Sequence, residues 1–169
     1  VAFESEQKSV AEEIDNGTPI AEYRGEDFDS GGYEAEVSGE VMKNWNISAG
    51  YSYLDIEDDD EGNELRTYIP EETFTLATTY RPAGLEKLKV GMTVNWQSTV
   101  TNTSGGNESK QESYALVNLM AGYDFTDNFN AKLRVNNVTD EKYLSSLRYF
   151  GQSYYGAPTN ANLSLNYTF

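Results

Sequence analysis

Apolar and polar residues alternate along most of this chain, and a period of two is the signature of a β-strand with two unlike faces. Tyr33, Ala35, Val37, Gly39 and Val41 alternate with Glu34, Glu36, Ser38 and Glu40. Ile47, Ala49, Tyr51 and Tyr53 alternate with Ser48, Gly50 and Ser52. The same rhythm marks Phe74–Tyr80, Leu88–Gln97, Val117–Phe125, Phe129–Asn136 and Ala161–Phe169. These are seven predicted strands, and Val1 to about Lys8 is a weaker eighth. No segment carries the 3.6-residue period of a helix.

The connections alternate in length. Short turns are predicted at Lys43-Asn44, Pro82–Glu86 and Thr126–Asn128, and long polar segments at 9–32, 55–72, 98–113 and 138–160. Loops of that length are uncommon in a compact soluble domain. Short turns at one end and long loops at the other are the habit of an outer-membrane β-barrel. The two strand faces agree with it. One face is aliphatic and aromatic; the other carries Glu34, Glu36, Glu40, Lys89, Lys132 and Arg134. A charge facing lipid near the midplane costs about 2–4 kcal/mol, so the charged face belongs in the lumen. Trp45, Tyr80, Trp96, Tyr114, Phe125, Phe129, Tyr167 and Phe169 fall near strand ends, as interfacial aromatic girdles require. The competing expectation is a soluble β-sandwich with one wet face.

Composition narrows the chemistry. Among 169 residues there is no Cys and no His, so disulfides, thiolate or imidazole metal sites and His-dependent triads are excluded. An outer-membrane hydrolase or acyltransferase would need such a base, so the chain is expected not to be an enzyme. The net charge of −16 argues against nucleic acid. Eighteen of the 28 acidic residues lie between Glu4 and Asp29 or between Asp55 and Glu72, so the acid belongs to two outer loops. The run Asp58-Asp59-Asp60-Glu61-Gly62 invites calcium, but Tyr68 stands where an EF-hand needs its closing Glu. A solvated acidic loop is the expectation, with no metal site and no cofactor. Asn-x-Ser/Thr triplets at Asn46, Asn107 and Asn137 are read as chance.

The last third is more specific. Asn136-Asn137-Val138-Thr139-Asp140-Glu141-Lys142-Tyr143 resembles the Asn-(Leu/Val)-x-Asp-x-x-Tyr element of TonB-dependent outer-membrane receptors. A loop, Tyr155-Gly156-Ala157-Pro158, and a final strand ending in Phe169 follow in that family's order. Gly32–Glu40 resembles the family's Gly-x-Glu-x-Glu-x-x-Gly strand, Trp45–Tyr53 the strand after it, and Tyr114–Tyr123 its antepenultimate strand. The likeness leans toward ferric-siderophore receptors of the hydroxamate and pyoverdine type.

The resemblance implies an all-β, antiparallel, roughly 22-stranded barrel, closed by an N-terminal plug and energised by the TonB complex. Residues 1–169 would then supply its last seven or eight strands, with plug and earlier strands absent. Ligand binding is expected on the last outer loop, at Tyr149, Phe150, Tyr154 and Tyr155, with Arg148 as cation for an anionic chelate. Because the siderophore carries the iron, no protein metal ligand is needed, and the acidic loops favour a neutral or cationic hydroxamate. Leu163, Leu165, Tyr167 and Phe169 would form the signal read by the barrel-assembly machinery. Thr159 departs from the family, which often has Arg there. The alternative is a free-standing eight-stranded outer-membrane barrel with a structural or adhesive role, its small interior filled by side chains.

Overall fold

The computed structural model describes residues 1–14, 20, 22–58, 66–104, 107–147 and 153–169. Among the described residues twelve strands form: β1 (Ala2–Ile14), β2 (Glu22–Met42), β3 (Trp45–Asp58), β4 (Glu72–Tyr80), β5 (Leu88–Gln97), β6 (Val100–Ser104), β7 (Asn107–Gln111), β8 (Tyr114–Thr126), β9 (Phe129–Asn136), β10 (Leu144–Leu147), β11 (Ser153–Tyr155) and β12 (Asn160–Tyr167). No helix occurs among the described residues. Eight strands make one antiparallel sheet in the order β1-β2-β3-β4-β5-β8-β9-β12. The pairs β6–β7 and β10–β11 are separate two-stranded hairpins.

Register turns the sequence alternation into two continuous surfaces, because residues directly opposite in an antiparallel pair share a face. Val37 opposes Ala49, Ala49 opposes Leu76, Leu76 opposes Val94, and Val94 opposes Val117. Further along, Leu119 opposes Val135, which opposes Ala161, and Leu133 opposes Leu163. The result is one unbroken apolar wall. On the other face, Glu36, Gly50, Thr75 and Asn95 share a row. The charged positions assigned to the lumen all lie on this side.

The sheet has almost no core of its own. Among the described residues the only buried apolar side chains are Phe28, Val100 and Leu147. A soluble sandwich would bury both inner faces about 10 Å apart, so that expectation fails. The eight-stranded alternative also fails, since the order runs from β1 to β12 without closing. An open edge in lipid leaves a row of backbone donors and acceptors unsatisfied, so this sheet is a wall segment of something wider.

Two aromatic belts bound the apolar wall. At the short-turn end Trp45 meets Tyr80 edge-on at 6.2 Å, Phe125 stacks on Phe129 at 5.3 Å, and Tyr167 meets Phe169 at 5.0 Å. The Trp45 indole N–H donates to Thr78 Oγ1 at 2.7 Å, so this donor does not face lipid unpaired. Higher up, Tyr33 stacks on Tyr53 at 5.3 Å, and Phe74 opposes Trp96. Trp45 and Tyr53, eight residues apart on β3, are separated by about 26 Å along the strand. At a strand tilt of about 40° this spans roughly 20 Å along the membrane normal, within the roughly 25 Å apolar band of an outer-membrane barrel.

The structure corrects several loop expectations. Much of the predicted 9–32 loop is strand: β1 continues to Ile14 and β2 begins at Glu22. At 21 residues, β2 is twice the roughly 9–11 that cross a bilayer, so its upper half stands outside. A bulge between Gln7 and Val10 bends β1, with Ser9 at φ 54° donating its N–H to Asp27 Oδ1 at 2.6 Å. The predicted 98–113 and 138–160 loops contain the hairpins β6–β7 and β10–β11. The three predicted short turns are present as turns.

Candidate functional site

The outer end of the sheet holds three connected features: a hairpin cluster, a cavity and a knot at the base of the last loop. In the cluster, β10 lies against β6 and β7. Val100 and Leu147 are buried there, and Gln111 joins the hairpins by accepting the Leu144 N–H at 2.6 Å and donating to the Glu112 carbonyl at 2.7 Å. Thr67 ties the β3–β4 connection to β6: its carbonyl accepts the Thr101 N–H at 2.9 Å, and its hydroxyl donates back to the Thr101 carbonyl at 3.0 Å.

The cavity, of about 440 Å³, is lined by Leu54, Ile56, Arg66, Thr67, Trp96 and Thr101 among others. Arg66 holds its guanidinium 4.5 Å above the ring of Phe28, which is buried at 3% exposure. This cation–π seat fixes a cation at the mouth. Beside it stand the carboxylates of Asp55, Glu71 and Glu72, several hydroxyls and apolar walls, so the lining mixes one cation with more acid. Nothing about Phe28 marked it in the sequence. Arg66 did leave a signal: it is the lone cation among nine carboxylates between Asp55 and Glu72.

The knot is built on Asn137, which is 4% exposed and sits in left-handed backbone at φ 50°. Asn and Asp tolerate that region better than other side-chain-bearing residues. Its Oδ1 accepts the Glu141 N–H at 2.9 Å, and its Nδ2 donates to the carbonyls of Glu141 at 2.9 Å and Ala157 at 3.1 Å. Its own N–H goes to Asn118 Oδ1 on β8 at 2.9 Å. Asp140, at φ 51°, accepts the Thr159 N–H at 3.1 Å, and the Thr159 hydroxyl donates to the Asn137 carbonyl at 2.6 Å. Tyr143 stacks on Tyr114 at 4.6 Å and covers Gly156, where a Cβ would run into its ring. The motif residues thus tie β9, the loop and the entry to β12 together. Thr159, the departure from the family, is one of the clamps.

The expected ligand residues are distributed unevenly. Arg148, Tyr149 and Phe150 lie outside the described residues. Tyr154 and Tyr155 are on β11 with their side chains exposed, Tyr155 at 80%. The acidic run 59–62 also lies outside the described residues, and among those described there is no cluster of metal-binding side chains. Lys110 and Glu112 pair at 2.9 Å beneath the hairpin cluster. Their hydrogen bond raises the lysine's pKa and lowers the carboxylate's. Leu163, Leu165, Tyr167 and Phe169 lie along the free edge, exposed, with Phe169 at the chain end.

Comparison with known proteins bears on what this wall belongs to. A family model described as TonB dependent receptor-like, beta-barrel, matches residues 2–138. The ferripyoverdine receptor of Pseudomonas aeruginosa is 38% identical over 154 residues, covering 87% of this chain and 19% of that one. The solved pyoverdine outer membrane receptor from Pseudomonas aeruginosa bound to pyoverdine superposes with a TM-score of 0.87 at 34% identity, covering 99% of this chain and 26% of its own. The siderophore receptor PiuA from Acinetobacter baumannii superposes at 0.77 with 26% identity, covering 98% of this chain and 25% of its own. The chain spans about a fifth of the length of the curated relatives it matches.

Proposed function

The chain belongs to the TonB-dependent receptor-like β-barrel family, and from that premise we propose that it forms eight strands and outer loops of a receptor importing a ferric siderophore. Its place is the bacterial outer membrane, where barrels of this family reside. The complete barrel has about 22 strands, with β1 and β12 paired to strands outside residues 1–169 and a plug filling the lumen. The observation that carries the reading is the split between an apolar wall and a polar one, on an open sheet that superposes on pyoverdine and siderophore receptors.

No bond is made or broken in this proposal. The iron arrives chelated, as cargo. Tyr154 and Tyr155, with Arg148, Tyr149 and Phe150 of the same loop, offer aromatic area and charge-assisted hydrogen bonds to the chelate. Arg66 in its cavity adds a second cation. The surrounding acid disfavours strongly anionic complexes, so a neutral or cationic hydroxamate chelate fits best. Transport draws energy from the TonB complex through the plug side. The outward face meets lipid, and the edge from Leu163 to Phe169 is what the barrel-assembly machinery pairs with.

The test is uptake of radiolabelled iron by cells carrying the full-length receptor as their sole siderophore receptor. Saturable, TonB-dependent accumulation with a hydroxamate-type ferric siderophore supports the proposal. Binding and uptake no higher than in receptor-less cells, across neutral, cationic and anionic chelates, refutes it.

A further inference from the structure

The apolar wall is not even. Along one row Ile47 opposes Thr78, Thr78 opposes Met92, and Met92 opposes Leu119. Thr78 is the smallest side chain of the four, so the wall dips there. One row nearer the short turns stand Trp45, Tyr80 and Val90. The bulge between Glu40 and Met42 sets Met42 opposite Trp45, and so on the same face. Met42, Trp45, Tyr80, Val90, Met92 and Leu119 line a hollow of about 530 Å³ around Thr78.

A tryptophan at a membrane interface ordinarily turns its N–H to the wet side. The Trp45 N–H is instead spent on Thr78, one row deeper, and the Thr78 hydroxyl donates onward to the Asn46 carbonyl at 3.0 Å. The indole is thereby tied toward the membrane interior and becomes a wall of the hollow. With these polar groups engaged, the hollow offers an occupant hydrocarbon contact.

Its outer rim carries charge. Lys43 sits in the β2–β3 turn beside Met42 and is exposed. Neighbouring charges are engaged: Arg81 donates to the Glu86 carbonyl at 2.9 Å and meets Asp124 at 3.6 Å, and Lys87 donates to the Phe125 carbonyl at 3.2 Å. Glu40 Oε1 accepts the Asn44 N–H at 2.5 Å. Among the described residues no carboxylate pairs with Lys43. The short turns of such a barrel face the periplasm, which puts the hollow in the periplasmic leaflet and Lys43 at the height of its headgroups.

We propose that this hollow seats one acyl chain of an anionic glycerophospholipid of the periplasmic leaflet, with Lys43 as the cation for its phosphate. Continuity with the apolar wall selects hydrocarbon, and two methionines let the lining adapt to a flexible chain. Charge complementarity selects the headgroup, because a lysine stem can lie along apolar surface while its ammonium reaches the phosphate layer. The proposal rests on the barrel reading above but not on the identity of the siderophore.

The test uses the full-length receptor in bilayers with two photoreactive probes, phosphatidylglycerol and diacylglycerol, each carrying a diazirine on one acyl chain. Labelled residues are located by mass spectrometry. Leu133 and Leu163, in the same row as Val90, are the reference patch on the same wall. Both probes should label Met42, Met92 and Leu119 above the reference patch. Phosphatidylglycerol should show the preference about fivefold more strongly, the increment expected of one lysine at an anionic lipid surface. Lys43→Arg should keep that increment, and Lys43→Gln should lower it to the diacylglycerol level. Equal labelling of hollow and reference patch by both probes, or a phosphatidylglycerol preference untouched by Lys43→Gln, would overturn the proposal and leave the barrel reading standing. Labelling of neither patch would overturn both.

Discussion

The base of the last outer loop and the strand β11 that runs into it are built on opposite principles. At the base, Asn137 is buried and every polar atom of its amide is used. On β11, just before the base, Tyr154 and Tyr155 hold exposed aromatic rings. A loop that must meet a ligand needs exposed contact surface, and that surface stays in place only if the base holds it. The family's most recognisable motif therefore belongs to the holding part.

The comparison breaks if damage at the base and damage on β11 look alike. The largest effect is expected from Asn137→Ala, which takes the side-chain partner from the part-buried Glu141 N–H and from the Glu141 and Ala157 carbonyls together and removes a residue suited to positive φ. The loss should be about 2–3 kcal/mol, read as a lower unfolding midpoint of the full-length receptor in detergent. Tyr154→Ala with Tyr155→Ala should leave that midpoint unchanged and weaken ferric-siderophore binding roughly tenfold, in keeping with about 1–1.5 kcal/mol from aromatic contact. A drop in midpoint without a change in binding would reverse the assignment.

Smaller changes sharpen it. Gly156→Ala should push the Tyr143 ring off its seat and cost about 1 kcal/mol or a little more. Thr159→Val keeps the shape but removes the hydroxyl shared by Asn137 and Asp140, for about 1 kcal/mol. The smallest effect is a pH dependence. Glu112's carboxylate has its pKa lowered by Lys110, so its contribution is present above the ordinary carboxylate range and fades as pH falls through the lowered value. Exchange protection of the β6–β7 hairpin amides should therefore weaken on acidification, and Glu112→Gln should flatten that response.

How much could be read beforehand follows from where water lies. Inside the bilayer the two faces see different solvents, so β3, β4, β5, β8 and β9 announce themselves by alternation. Above it both faces are wet, and Glu22–Asp29 on β2 and Asn107–Gln111 on β7 show no alternation although they are strands. The base of the last loop was visible as a family motif but not as a hub, because the partners of Asn137 on Asn118, Ala157 and Thr159 are 19, 20 and 22 residues away. Arg66 could be noticed as a lone cation; its seat on Phe28 could not, since that pairing depends on β2 reaching past the membrane.

The central claim is that one face of this sheet meets lipid and the other a lumen. Residues 1–169 hold no cysteine, so single cysteines along β9 can carry a nitroxide label in the full-length receptor reconstituted in bilayers, any cysteine elsewhere in the receptor being replaced by Ser. Collision with dissolved oxygen should be high at Ala131, Leu133 and Val135 and low at Lys132 and Arg134, repeating every second residue. A flat profile, or the reverse alternation, would contradict the account.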